Sequence, residues 1–412
     1  PPDYDELPIG EYSLLGELGS YRSWLPPDTR ATSSISNRGC RAHCSFCSVA
    51  NFNGKGVRQR EIDSVVDEIA MLKEKYGINH IAWLDDDLFY NRERTMALFT
   101  AMIERNLGVT WCASNGVIAS AAAAAPEVLE AAAKAGCIGM TFGVESGSEK
   151  ILREVHKPSG VRHSQRAGEL MLNHPEVFTR GFLIIGFPNE TLGQIEETID
   201  LAYRMQLDWY GIQLLSPLPN TEIYKTMVDL GIVTDVEFKK NSEKDGSTLY
   251  VVRQGEKQRR IEESGKHDAG QFSNPFALKG KETVPTREEL QDLWLLVDYR
   301  INYQPILTQH SPAKLLKKQR ILRDICNRMT RGNPLANLFL GIVERKLGNS
   351  EAADHYYALA TEYLNASAYW RLRFDVLELN ELAEVGWHFL RARVTKQGER
   401  IDEGLRNSGY TV

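Results

Sequence analysis

Long apolar runs are missing from this chain of 412 residues. No window approaches the roughly 18 to 20 uninterrupted apolar residues that a bilayer-spanning helix needs. The N-terminus also lacks a charged segment followed by an apolar one, so no secretory signal is read. Both absences predict an unexported, cytoplasmic protein. Cysteine is scarce: six residues, too few and too clustered for a disulfide scaffold, which points to a reducing compartment. An excess of positive charge is lacking too. The 49 basic and 55 acidic residues leave −6, which argues against nucleic-acid binding through bulk charge. There is no initiator Met either. The chain opens at Pro1, and the expectation is the downstream part of a longer polypeptide. What is present is ample apolar material, 42% of residues against 25% charged, which excludes a wholly disordered chain and suits two or three domains.

Organisation changes along the chain. Residues 1–30 are rich in proline and read as a linker or wrapping arm. From 31 to 232 short β-like runs alternate with amphipathic helical stretches. The expected strands are Thr32–Arg38, Asn79–Leu84, Thr110–Asn115, Gly139–Val144, Thr179–Ile185 and Trp209–Leu214. The intervening helices are Ile62–Tyr76, Asn91–Arg105, Pro126–Ala135 and Leu192–Met205. Six βα units in series predict an α/β fold with a parallel sheet buried on both faces. Residues 233–286 are charged and read as an exposed loop region, and 287–412 as a helical C-terminal domain. In that domain Pro312–Met329 places Leu315, Leu322, Ile325 and Met329 on one face. Asn333–Ala366 reads as a helical hairpin around Leu347, Gly348 and Asn349, and a final helix is expected over Asn380–Lys396.

The chemistry concentrates at Cys40-Arg41-Ala42-His43-Cys44-Ser45-Phe46-Cys47. Three thiolates within eight residues can share one inorganic centre, and three leave a tetrahedral zinc or a fully ligated iron–sulfur cluster one ligand short. An open iron is what a catalytic cluster requires. A zinc knuckle completed by His43 is the plain alternative, although residues adjacent to a ligand rarely reach the same ion. Cys112, Cys137 and Cys326 lie in apolar surroundings and read as core.

Cys-x3-Cys-x2-Cys just after a first strand, with an aromatic before the third Cys, resembles the signature of the radical S-adenosylmethionine (radical SAM) superfamily. The fold this implies is a partial (βα)6 TIM-like barrel, here followed by an α-helical C-terminal domain. The resemblance implies that Cys40, Cys44 and Cys47 hold a 4Fe–4S cluster whose open iron chelates SAM. Reductive cleavage would then give methionine and a 5′-deoxyadenosyl radical that abstracts hydrogen from substrate. Asp85-Asp86-Asp87, at the end of the second strand, stands where many members carry the motif facing the methionine amino group, and Asp86 and Asp87 are the nominated acceptors. Glu145, followed by Ser146, suits the ribose hydroxyls. In Gly181-Phe182-Leu183-Ile184-Ile185-Gly186, Ile184 and Gly186 would support adenine, with Phe46 covering its edge. Glu190 falls four residues after Gly186, where the family pattern has three. Arg153, Lys157, Arg162 and Arg180 are candidates for the methionine carboxylate.

Asp-Asp-x-x-Phe, Gly-Val-Glu-Ser-Gly-Ser, Gly-Phe-Pro-Asn-Glu-Thr and Leu215-Ser216-Pro217-Leu218-Pro219-Asn220-Thr221 are similar to the group containing anaerobic magnesium-protoporphyrin ester cyclases and cobalamin-dependent methylases. A weaker echo follows at Val297–Tyr303. Residues Pro1–Pro8 resemble the linker after that group's cobalamin-binding domain, so cobalamin would be held by an upstream domain absent from this chain. The expected function is C-methylation with cobalamin in a biosynthetic pathway, the alternative being cobalamin-independent rearrangement, cyclisation or carbon–carbon bond formation. A transfer-RNA methylthiotransferase would need a second cysteine triad, and a helical-repeat adaptor explains only the C-terminal third. Expected partners are a small-molecule or lipid-like substrate and an electron donor such as flavodoxin or ferredoxin. Lys317, Lys318 and Arg320 on the helix at 312–331 also suggest attraction to an anionic membrane surface, against the plainer reading of a packed helix with solvated charges.

Overall fold

The computed structural model describes Leu25, residues 28–233, residues 270–380 and Leu382. Most of the N-terminal arm, the heart of the charged region and nearly all of the final expected helix therefore lie outside the described residues. The described residues form two compact units, one of 28–233 with 281–284 and one of 270–280 with 285–380.

The first unit is built on a six-stranded sheet. Its strands are β1 (Ala31–Ser34), β4 (His80–Trp83), β5 (Thr110–Ile118), β6 (Cys137–Glu145), β7 (Phe178–Ile185) and β8 (Trp209–Leu214), paired in that order and parallel at every step. The crossovers are α2 (Ile62–Tyr76), α3 (Arg92–Glu104), the pair α4 (Ala119–Ala124) and α5 (Pro126–Lys134), the pair α6 (Glu149–Glu154) and α7 (Val161–Met171), and α8 (Leu192–Met205), with α9 (Glu222–Asp229) after β8. This is the partial (βα)6 barrel. Both faces of the sheet are covered, and eight of the nine residues of β6 are buried. Trp83, Trp111, Phe99 and Phe89 interlock beneath β4 and β5, with Phe99 and Trp111 stacked at 5.1 Å.

Helix ends follow local chemistry. Thr191 caps α8, accepting from the Gln194 N–H while the Gln194 side chain accepts from the Thr191 N–H. The described part of the charged region is partly ordered against the barrel. Leu192 and Gly193, in the first turn of α8, donate to the carbonyls of Thr283 and Lys281, which satisfies N–H groups that a helix start leaves open.

The first expected strand ends early. The sheet strand stops at Ser34, and Asn37–Arg38 (β2) pairs antiparallel with Arg58–Gln59 (β3) in a separate two-stranded ribbon. Ser36 and Asn37 donate their backbone N–H groups to Asp85 instead of to the sheet. The ribbon thus encloses the cysteine loop and the short helix α1 (Val49–Asn53).

The second unit is helical: Arg287–Asp298, Pro312–Asp324, the antiparallel neighbours Pro334–Lys346 and Ser350–Ala366, and Ala368–Val376. The hairpin at 333–366 matches the expectation. Two details of the basic helix do not. A π-helical turn over Ile325–Met329 adds a residue to the helical period, and Met329, expected on the apolar face, is 67% exposed. Lys318, counted among the surface charges, is buried and donates to the Asn302 carbonyl. Among the described residues no helix is long and apolar enough to cross a membrane.

Candidate active site

A cavity of about 440 Å³ opens at the C-terminal ends of the strands. The cysteine loop, Asp86, the β5 end at Asn115 and Gly116, Gly143 and Glu145 of β6, Lys157, Phe182 of β7 and the turn Asn220–Glu222 line it.

Cys40, Cys44 and Cys47 all face this space. Burial pushes the Cys40 and Cys44 thiols up to about 11 and raises Cys47 as well; the charge of Cys47 adds to the penalty on Cys40 and Cys44, and that of Cys40 to the penalty on Cys44, while Lys157 eases it at Cys44 and Cys47. Three partly desolvated thiols in mutual electrostatic range form a soft donor set that asks for a cationic centre. Among the described residues no group of three His, Cys, Asp or Glu converges as ligands of a single metal ion.

The loop's shape depends on glycine. Gly39 has φ +95°, and a Cβ there would meet the Gly56 carbonyl oxygen, so only glycine passes between the ribbon strands. Cys40 gains a backbone partner of its own, since the Ala42 N–H points at its Sγ, 3.4 Å away.

The three aspartates after β4 part company. Asp85 is buried and accepts from the Ser36 N–H and hydroxyl and the Asn37 N–H; burial lifts its carboxyl to about 6 although those bonds pull it down. Asp86 lines the cavity, and its two hydrogen bonds, from the Gly39 N–H and Asn53 Nδ2, both fall on Oδ2. Asp87 was nominated with Asp86, but its carboxylate takes Arg41 Nε at 2.6 Å and NH2 at 2.9 Å and does not line the cavity. The guanidinium partner, invisible in a run of three identical residues, turns it away.

Glu145 closes β6 with φ +68°, a strained value for a non-glycine residue. Its Oε1 accepts from Lys157 Nζ at 2.7 Å, and both side chains are nearly buried. Burial pulls Lys157 down, yet the charges of Glu145 and Cys44 carry it above its ordinary value. Gly143 makes room for the pair: a Cβ would sit 2.9 Å from Lys157 Nζ and 3.0 Å from Glu145 Oε1. Of the four cation candidates only Lys157 lines the cavity. Arg153 donates to its own helix at Glu149, and Arg180 lies over the Phe182 ring.

Phe46 lines the cavity and packs edge-on against Phe187 at 6.0 Å. Ile184 belongs to the cluster of Phe187, Ile151 and Leu215, and Ser146 is fully buried, its hydroxyl accepting from the Ser148 N–H. Neither is among the cavity-lining residues, nor is Gly186. Glu190 explains the Gly186 turn. It is fully buried, accepts from the Gly186 and Phe187 N–H groups, and is pushed by burial up to about 8. Asn115 and Gly116 went unremarked in the sequence. Gly116 has φ +99° in an irregular stretch of β5, where the register against β6 shifts. Asn-Gly inside a strand pattern is the signal that marks such a bulge.

Comparison with known proteins agrees with this geometry. Residues 34–202 match the radical SAM superfamily. The chain is 29% identical over 236 residues to an uncharacterized methyltransferase of Pyrococcus horikoshii, covering 57% of this chain and 50% of that one. It is 30% identical over 197 residues to the bacteriochlorophyllide d C-12(1)-methyltransferase of Chlorobaculum tepidum (47% and 42% covered). With the anaerobic magnesium-protoporphyrin IX monomethyl ester cyclase of Rubrivivax gelatinosus it shares 27% over 214 residues (52% and 38% covered). The chain thus spans half or less of the length of these relatives. The six-stranded partial barrel, with three cysteines facing the cavity at its strand ends, carries a radical SAM domain at residues 34–202.

Proposed function

We propose that this chain is the radical SAM portion of an enzyme that abstracts hydrogen from a small-molecule substrate and methylates it at carbon, with cobalamin as methyl carrier. The observation that carries the reading is the convergence of Cys40, Cys44, Cys47, Asp86, Glu145 and Lys157 on one cavity. A 4Fe–4S cluster on the three thiolates, once reduced, would supply the electron that cleaves SAM to methionine and a 5′-deoxyadenosyl radical. The protein's own part is binding and orientation. Glu145, paired with Lys157, offers its carboxylate to the two ribose hydroxyls. Lys157, within reach of the same ligand, places its ammonium for the methionine carboxylate. Asp86, both of whose bonds fall on Oδ2, presents Oδ1 to the methionine ammonium. Phe46 and Phe182 form apolar walls that limit water around the adenosyl group.

The cyclase relative supports a second reading, ring closure without methyl transfer. The test is anaerobic reconstitution of the chain with iron and sulfide, followed by product analysis with SAM carrying a deuterated methyl group. Four irons per chain with 5′-deoxyadenosine and methionine as products are expected, and replacing Cys40, Cys44 and Cys47 together by Ala should abolish both. A triple variant that keeps its iron and its SAM cleavage would reject the assignment. With cobalamin and substrate supplied, deuterium in the substrate selects methylation, and a dehydrogenated, unlabelled product selects cyclisation.

A further inference from the structure

The Arg41 side chain, inside the first Cys-x3-Cys spacing, is held at four points, and the Arg41 backbone N–H also reaches Asp87. Asp87 takes its Nε at 2.6 Å and its NH2 at 2.9 Å; the same NH2 donates to the Phe89 carbonyl at 2.5 Å, and the guanidinium lies 5.4 Å from the Tyr90 ring centre. The Asp87 side chain has no exposure at all, while Arg41 is about one-third exposed. The neighbouring aspartates fasten the same loop further back, Asp85 at Ser36 and Asn37 and Asp86 at Gly39. Asp86 also takes Asn53 Nδ2 at the far end of the loop, but of the three aspartates it is Asp87 that holds the residue next to Cys40. The peptide it fixes is followed by the Ala42 N–H aimed at the Cys40 sulfur.

We propose that Arg41 is a positioning residue: clamped by Asp87, it fixes the peptide around Cys40 and sets the reduction potential of the cluster bound there. This rests on the cluster reading above. Cluster potentials follow net charge and hydrogen bonds to sulfur. Adding one electron to the cluster makes it more negative, so a fixed cation beside Cys40 favours the reduced state and a fixed anion opposes it. The pair as a whole is neutral, and each half pulls the potential in an opposite direction. Asp87 therefore has two effects: it orients the guanidinium, and it offsets that group's charge.

The opposition of signs makes the test. Wild type, Arg41→Gln, Asp87→Asn and the double variant, as the full chain, are loaded anaerobically with iron and sulfide, and iron content is measured. The cluster is then reduced stepwise by dithionite with mediators, and its spin signal is followed. Asp87→Asn should raise the potential, Arg41→Gln should lower it, and the double variant, again neutral, should return near wild type. A merely structural contact would move both single variants the same way, through disorder of the loop. Shifts of one sign, or a single variant that loads and does not move, would overturn the proposal while the wild-type cluster leaves the reading intact. If a single variant fails to load, the double variant decides: recovered iron supports charge balance, and continued failure overturns it. A wild-type chain that takes up no iron overturns the cluster reading and the proposal together.

Discussion

Glu145 and Glu344 are both buried carboxylates paired with a cation, and they are built for different ends. Glu344, in the helix Pro334–Lys346, has no exposure and receives four hydrogen bonds, from Gln319, from Arg323 twice and from Asn349. Its backbone is regular helix. Glu145 receives one, from Lys157, sits at φ +68° and lines a cavity. A carboxylate whose acceptor positions are filled by its own chain holds helices together. One left with acceptor capacity, on a strained backbone and beside glycines, is held ready for a ligand. Burial of charge alone therefore does not mark a site; unfilled hydrogen-bonding capacity facing a cavity does.

The largest expected effect breaks the helical side of the pair. Glu344→Ala strips partners from Arg323, Gln319 and Asn349 at once and should destabilise the chain by about 3 kcal/mol in urea unfolding. A loss below half of that would mean the network contributes little. On the barrel side, Glu145→Ala should weaken SAM binding to the reconstituted protein at least tenfold, since a charge-assisted bond is worth about 1.5 to 3 kcal/mol. The change also leaves the nearly buried Lys157 without its partner, so a stability loss of about 1 to 3 kcal/mol is expected beside the lost affinity. Unchanged SAM affinity with lost turnover would reassign Glu145 to another step. A smaller effect sharpens the point: Gly143→Ala forces the Glu145–Lys157 pair aside, and because both contacts are ends of flexible side chains, SAM affinity should fall several-fold, about 1 kcal/mol, with near-native stability. Equal losses of affinity and stability would show that the pair is a packing element.

The last prediction is one of pH dependence and concerns Glu190, a third buried carboxylate. Its folded value is raised to about 8 from an ordinary 4.5. Between those values the folded chain holds a proton that the unfolded chain releases, so this group's contribution to stability is present at low pH and is lost as pH rises towards 8. Glu190→Gln keeps an oxygen for the Gly186 and Phe187 N–H groups and cannot ionise. It should flatten the fall in unfolding free energy between about pH 5 and pH 8; an unchanged slope would place the proton elsewhere.

Much of the barrel could be read in advance because its signals are local. Ile62–Tyr76 and Leu192–Met205 have the same ends in sequence and structure, bounded by Gly77 in a left-handed C-cap and by the Thr191–Gln194 capping box. The cysteine spacing and Glu145 likewise stand out within a few residues of sequence. What escaped was non-local. Ser36 and Asn37 alternate like strand residues, yet Asp85, about fifty positions on, takes their N–H groups and ends the sheet strand. Asp86 and Asp87 look alike in a run of three, and only Arg41 separates their roles. Arg180 and Ile184 share β7 with Phe182, but of these only Phe182 lines the cavity.

The ribbon of Asn37–Arg38 with Arg58–Gln59 bears on how the metal is acquired. It ties residues 39–57 into a closed ring whose neck is fixed by backbone hydrogen bonds and by Gly39 lying against Gly56. On the cluster reading proposed above, this ring would meet part of the entropy of bringing Cys40, Cys44 and Cys47 together as the chain folds. Metallation would then be a late, separable event, unlike in small zinc domains where ion and fold arrive together. Stripping iron with a chelator should accordingly leave the barrel standing, with its cysteines still assembled for refilling.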